Sequence, residues 1–193
     1  MEVRQGAHVI PTQPPLVFGQ FTTVTVVDST IVLASDEDGY VIELVTAAGH
    51  PTGRIVVPVP RRPVTDAMGQ AEIDRKLKAL AARRRTEPMA ITMAEARRQI
   101  IEAPTADSLP SYAEVTSGQD GEFWVRDYLL WSDTTWTATA FHLDGTIVGR
   151  VTGPLSSGEG WRRPVWFGRD RVMVREIDDD GVVRFGVYRM EGR

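Results

Sequence analysis

The sequence predicts a mainly β chain built from a recurring unit of four short antiparallel strands, with a pair of helices set between two of the units. Three observations carry this. In Trp136-Thr-Ala-Thr-Ala-Phe-His-Leu-Asp-Gly145-Thr-Ile-Val-Gly-Arg-Val151, apolar and polar residues alternate into a turn at Asp144-Gly145, and a second strand leaves it. The segment Gly49-His-Pro-Thr-Gly53-Arg54-Ile55 has the spacing of Gly145-Thr-Ile-Val-Gly149-Arg150-Val151, and the pattern begins again at Met190-Glu-Gly192-Arg193. Between residues 61 and 104 the apolar period changes from that of a strand to that of a helix. A unit that recurs with its turn in a fixed place indicates a repeat architecture.

Taken in order, Glu2 to Ile10 reads as a short strand, ended by Pro11 and by Pro14-Pro15, which cannot donate to a ladder. Phe21 to Val27 and Thr30 to Ala34 are β-branched runs of period two, parted by Asp28-Ser29. Asp36-Glu-Asp-Gly39 is a turn whose glycine supplies positive φ. Tyr40 to Val45 and Arg54 to Val59 complete the first four strands. In the insertion, Thr65-Asp66 starts one helix with Ile73, Leu77, Leu80 and Ala81 on one face, and Pro88 interrupts it. A capping box at Thr92-Met-Ala-Glu95 starts a second, with Met93, Ala96, Ile100 and Ile101 as its stripe, and Pro104 ends it.

Strand patterning resumes at Tyr112–Val115, Glu122–Arg126, Thr135–Leu143 and Thr146–Val151. After the loop Ser156–Gly160 it continues through Pro164–Phe167, Arg171–Val174 and Val182–Met190, with the turn Asp178-Asp-Asp-Gly181 repeating the earlier acidic turn. Ile31, Phe123 and Val172 fall at one repeat position, about ninety and then about fifty residues apart, as do the three glycine motifs. The excess in the first spacing is the helical insertion, so the underlying period is about fifty. Four antiparallel strands at that period are the signature of a β-propeller blade. The expectation is a partial propeller of about three blades over residues 1–193, with residues 61–104 inserted between blades. A sandwich accommodates the strand count but leaves the recurring Gly-x-x-x-Gly-Arg unexplained. The third unit lacks an outer strand, and Glu2–Ile10 is a strand without a blade, so a terminal strand is expected to close the ring.

Thr30-Ile-Val-Leu, Gly53-Arg-Ile-Val-Val, Arg62-Pro-Val-Thr65 and Ser108-Leu-Pro-Ser-Tyr112 resemble the C-terminal half of bacterial six-bladed β-propeller proteins of the NHL-like or TolB-like kind. Gly121-Glu-Phe-Trp-Val-Arg126, Phe141-His-Leu-Asp-Gly145 and Val187-Tyr-Arg-Met190 continue the likeness, which runs from about Phe18 onward. The resemblance implies a chain about twice as long, often exported, with no agreed activity, so it supplies no catalytic residue. The missing half is expected from a second copy of the chain or from an upstream segment.

The 193 residues suffice for a sizeable core, and the net charge of -4 argues against nucleic acid as the main partner. With no cysteine, disulfides and thiolate metal sites are excluded, and no signal peptide or bilayer-length apolar run is visible. These features select no compartment. His8, His50 and His142 lie in different units without ligand spacing, so no metal or other cofactor is expected. The aspartates of the two acidic turns lack the glutamate that closes a calcium loop: the twelfth position from Glu176 is Val187. There is no Gly-x-Ser-x-Gly elbow and no phosphate-cradling lysine loop. Arg75, Lys76, Lys78 and Arg83-Arg84-Arg85 make the insertion locally basic, read as a solvated helix face.

Trp124 and Trp166 are expected between sheets, where blades need large apolar residues. The candidate ligand-binding residues are Arg126 and Asp127, at a strand end, with Trp131 and Trp136 flanking the loop Ser132–Thr135. No catalytic residue is assigned. The leading expectation is a non-catalytic binding or scaffold module with an unidentified ligand, completed into a six-bladed ring by pairing two copies. A metal-dependent propeller hydrolase or lactonase is the alternative, weakened by the complete lack of asparagine. A fragment of a longer propeller, without independent function, is the third.

Overall fold

The computed structural model describes residues 16–19, 22–35, 39–83, 92–155, 161–178 and 180–191. The expected strand Glu2–Ile10, most of the first acidic turn, Pro88, the loop Ser156–Gly160 and Gly192-Arg193 lie outside the described residues. The chain divides into two compact units, one from residues 1–19 and 64–107 and the other from residues 20–63 and 108–193.

The first unit holds the helices. Helix α1 (Asp66–Arg83) begins where the Thr65 hydroxyl accepts the Met68 N–H at 3.3 Å. Helix α2 (Met93–Ile101) is capped by Thr92, whose hydroxyl accepts the Glu95 N–H at 3.2 Å and satisfies one of the amides a helix start leaves orphaned. Ala96 is the buried centre of its stripe, flanked by half-buried Met93 and Ile100. The expected stripes each run one residue too far, since Ala81 and Ile101 are exposed. Each follows directly on a stripe residue, and a further 100° of helical rotation carries it off the apolar face. Beside the helices, Val17 bridges to Thr105, its N–H donating to the Pro104 carbonyl at 2.8 Å and its carbonyl accepting the Ala106 N–H at 3.0 Å. No described helix is long and apolar enough to cross a membrane.

The second unit is all strand. Strands β1 (Thr22–Val27), β2 (Thr30–Ser35), β3 (Val41–Thr46) and β4 (Pro51–Val56) form one antiparallel sheet in chain order. Strands β5 (Tyr112–Ser117), β6 (Glu122–Asp127), β7 (Thr135–His142) and β8 (Ile147–Pro154) form a second. Strands β9 (Trp161–Phe167), β10 (Arg171–Ile177) and β11 (Val183–Arg189) form a third. Strand β4 lies earlier than its β-branched run suggests. Pro58 and Pro60 cannot donate and stop the ladder, whereas Pro51 is tolerated as the first residue of an edge strand.

The repeat has a structural counterpart. Ile31, Phe123 and Val172 are each the second residue of a sheet's second strand. Gly49 and Gly145 take φ of +82° and +88° in the turns before β4 and β8. Gly53 pairs with Leu44 and Gly149 with Ala140, and in both sheets a bulge follows at the next step. Neighbouring sheets meet along their first strands, β1 against β5 and β5 against β9. Equivalent residues touch there: the Val115 N–H donates to the Thr23 hydroxyl at 3.4 Å, and Arg163 reaches Glu114 at 2.7 Å. The first turns follow suit, with Arg169 bridging to Asp120 at 2.9 Å.

Two apolar clusters fill the spaces between sheets. The first joins Val32, Ile42 and Leu44 of the first sheet to Val115, Phe123 and Phe141 of the second. Phe123 and Phe141 stack with centroids 5.5 Å apart, and Tyr40 tilts against Tyr112 at 5.2 Å. The second cluster joins Trp124, Trp136, Ala138 and Ala140 to Phe167, Val172 and Val174 of the third sheet. Trp124 stacks on Phe167 at 4.5 Å, so it lies between sheets as expected. Trp166 does not. The bulge in the pairing of β9 with β10 and strict strand alternation give the interior position to Phe167, leaving Trp166 on the opposite face at 36% exposure.

That opposite face of the third sheet also carries Val183, Phe185 and Val187, all exposed. At the other end, the outward face of the first sheet carries exposed Val24, Val26 and Val56 with half-buried Ile31 and Leu33. Both end faces of the three-sheet unit therefore expose apolar side chains to solvent, beside Glu43 and Arg54 on the first and Arg175 on the third.

Candidate functional site

Strand alternation decides where the candidate residues go. Arg126 and Asp127 are consecutive on β6, so their side chains leave opposite faces of the second sheet. Asp127 enters a cleft of about 480 Å³ between the first two sheets. The floor is Thr137, Thr139 and Arg150 of β7 and β8, and one wall is the segment 57–62 that follows β4. Residues 109–111 and the loop after β6 complete it. The entry and exit of the insertion hold this wall: Pro63 bridges to Ser108, and the Leu109 N–H donates to the Arg62 carbonyl at 2.9 Å.

Inside the cleft, Arg150 donates to the Asp127 carboxylate at 2.8 Å. Burial nonetheless raises the Asp127 carboxyl above the ordinary aspartate range, with Arg150 pulling it back. Arg62 donates to the Tyr128 carbonyl at 3.5 Å, and Asp133 accepts the Leu130 N–H at 2.7 Å, fixing the loop. Tyr40 lines the cleft at 7% exposure, and its hydroxyl has no hydrogen-bond partner among the described residues. Burial first, then the nearby Asp127 charge, hold that phenol firmly protonated.

Arg126 belongs to a different group. It is buried on the side facing the third sheet, where Glu114 accepts from both Arg126 at 3.2 Å and Arg163 at 2.7 Å. Burial lowers the Arg126 guanidinium from its ordinary value and the Glu114 charge opposes that. This cluster ties sheet to sheet. Trp136 is likewise interior, at 3% exposure and edge-on to Phe167, with its ring over Gly153. It lines a second cleft, of about 350 Å³, between the outer strands of the second and third sheets. Trp131 alone of the four candidates is largely exposed, at 75%. The structure thus does not gather Arg126, Asp127, Trp131 and Trp136 into one site. Sequence proximity around one loop was a poor guide, because adjacent strand residues diverge.

The residues that do converge with Asp127 were mostly invisible as a group. Tyr40, Arg61, Arg62 and Arg150 come from separate segments up to 110 positions apart in number. One signal was present: Arg150 ends the Gly-x-x-x-Gly-Arg motif, which the sequence offered as a repeat marker. His50 and His142 are exposed beside turns, and among the described residues no group of three His, Cys, Asp or Glu side chains gathers as a metal site would require. Comparison with protein-family models, with characterised proteins and with solved structures gives no match.

Proposed function

We propose that the three sheets are consecutive blades of a six-bladed propeller-type ring, and that a second copy of the chain supplies the other three. The protein is on this reading a non-catalytic binding or scaffold module. One observation carries it. Apolar residues on the two open end faces include ones whose repeat equivalents are buried within the unit. Ile31 stands on the open face of the first sheet, and its equivalents Phe123 and Val172 are buried against the preceding sheet. Arg54 stands on that same open face, in the place that Arg150 takes within the cleft. At the far end, Phe185 and Val187 point onward from the third sheet, and no fourth sheet meets them among the described residues. Packing the third sheet of one copy on the first sheet of the other buries both faces, and two-fold symmetry generates the second junction and closes the ring.

Light scattering coupled to size exclusion tests this. The expected mass is twice that of the chain, and either Val26→Glu or Phe185→Glu alone should yield folded monomer, because each disrupts both junctions. A wild-type chain that is monomeric and well folded at about 50 μM, where an interface of standard size should hold, overturns the reading.

A further inference from the structure

We propose that the second cleft, between the outer strands of the second and third sheets, binds a small neutral molecule built on one or two flat apolar rings. The site lies within one chain, so it stands or falls independently of ring closure.

Because the sheets repeat one another strand by strand, their two junctions compare position by position. Toward the outside of the first junction, Ile42 and Leu44 come together with Phe123 and Phe141 in one buried cluster. In the second junction the places of Ile42 and Leu44 are taken by Ala138 and Ala140, that of Phe123 by Val172 and that of Thr139 by Gly186. Toward the inside the sizes are reversed. Trp124 stacks on Phe167 at 4.5 Å, where the first junction has only Val32 and Ser117. A bulky pair within and small residues without hold the second and third sheets apart as a wedge does. The result is the cleft of about 350 Å³, within the range of about 300–1,000 Å³ that small-molecule sites occupy.

Aromatic surface borders the cleft from both sheets. The Trp136 ring lies across Gly153, and the Tyr188 ring lies across Gly186, where an added methyl would come 2.6 Å from Cε2. Loose packing between two sheets is the plain alternative. It leaves the floor unexplained, because Trp136, Val151, Val172, Val174 and Met190 all belong to the buried cluster. A gap against such residues forfeits contacts that the first junction makes. The rim offers no net charge to select an ion: Arg150 is held by Asp127 at 2.8 Å, Arg162 lies 3.2 Å from the Glu176 carboxylate, and Arg189 and Glu191 are opposite in sign. An apolar floor inside a charge-balanced rim favours a neutral, flat, apolar body over a charged or strongly hydrated one.

The probe is 5-fluoroindole, titrated into the full-length protein and followed by fluorine NMR, with 5-fluorouracil, flat but strongly polar, as control. The expected result is saturable line broadening of the indole and none of the uracil. Val172→Phe, which gives the third sheet the residue that the second holds at the same position, should fill the floor and abolish saturable binding. Its fold is checked by circular dichroism and urea unfolding. Tyr188→Ser is the second variant, at a rim position where 41% exposure makes folding safe. Loss of that aromatic wall should weaken binding about three- to tenfold, the worth of one ring-on-ring contact. No saturable binding of 5-fluoroindole up to about 2 mM, the weak end of fragment affinity, overturns the proposal. So does an equal response to 5-fluorouracil, or binding that Tyr188→Ser and a folded Val172→Phe leave unchanged; should Val172→Phe fail to fold, Tyr188→Ser decides alone.

Discussion

Replacing Gly153 by alanine should destabilise the protein, although alanine is the better residue in a strand on entropic grounds. Gly153 lies directly opposite Trp136 in the pairing of β7 with β8, and the indole lies across it. A methyl group there would sit 2.4 Å from Cζ2, 2.6 Å from Cε2 and 2.9 Å from Nε1 of Trp136. Ordinary carbon contacts need about 3.5–4.0 Å, so the ring must withdraw by about 1 Å or more. Trp136 packs edge-on to Phe167 within the cluster that holds Trp124 and Val151, so yielding toward the cleft it lines costs those contacts. Overpacking of this kind costs about 1–3 kcal/mol, from which the entropic advantage of alanine over glycine, about 0.5–1 kcal/mol, is subtracted. Taking the middle of each range, the net expectation is a loss of about 1 kcal/mol, or a fall in Tm of roughly 2–4 °C for a chain of this size. The decisive experiment is a double-mutant cycle with Trp136→Leu, read by urea unfolding. In the leucine background the obstruction is gone, and Gly153→Ala should become neutral or stabilising. A Gly153→Ala substitution that is neutral or stabilising with Trp136 in place would refute the packing argument.

Three further predictions rest on other parts of the structure. Glu114→Ala should cost about 3 kcal/mol in urea unfolding, since it strips the partner from buried Arg126; Glu114→Gln, which keeps an acceptor, should cost less. Asp127 has its carboxyl raised above the unfolded value, so its contribution to stability is complete below the unfolded pKa and is lost as pH rises through the folded one. Stability curves of wild type and Asp127→Asn, compared from neutrality down to about pH 4, should therefore show a rise on mild acidification in the wild type that the variant lacks. Thr92→Ala removes the cap of α2 and should cost about 0.5–2 kcal/mol, seen as lost helical ellipticity and as faster amide exchange at Glu95.

The strands were legible because period two, β-branching and Asp-Gly turns all point the same way, from Thr30–Ser35 through Val183–Arg189. The repeat was legible too: the Gly-x-x-x-Gly-Arg motif corresponds in two sheets to a positive-φ turn followed by a bulge at the same step. Boundaries failed where proline overrode a β-branched run, as at β4, or where a bulge shifted alternation, as at Trp166. The site was harder. Arg126 and Asp127 looked like neighbours, yet a strand sends them to opposite faces. Tyr40 begins no motif, and its place beside Asp127 depends on how two sheets meet, which no local pattern encodes.

The chain leaves the strands at Pro63 and returns at Ser108, and those two residues are bridged to each other. Val64 donates to the Asp107 carbonyl at 3.0 Å just beyond them, so the stem is zipped on both sides of the departure point. The pairing of β5 with its own sheet is therefore blind to how many residues intervene, because the clasp has already set the distance between the ends. The helical segment is in this sense a graft on a closed stem. A two-residue Asn-Gly link in place of residues 65–106 would ask the strands for no change of register, and a domain of quite different size could occupy the same stem.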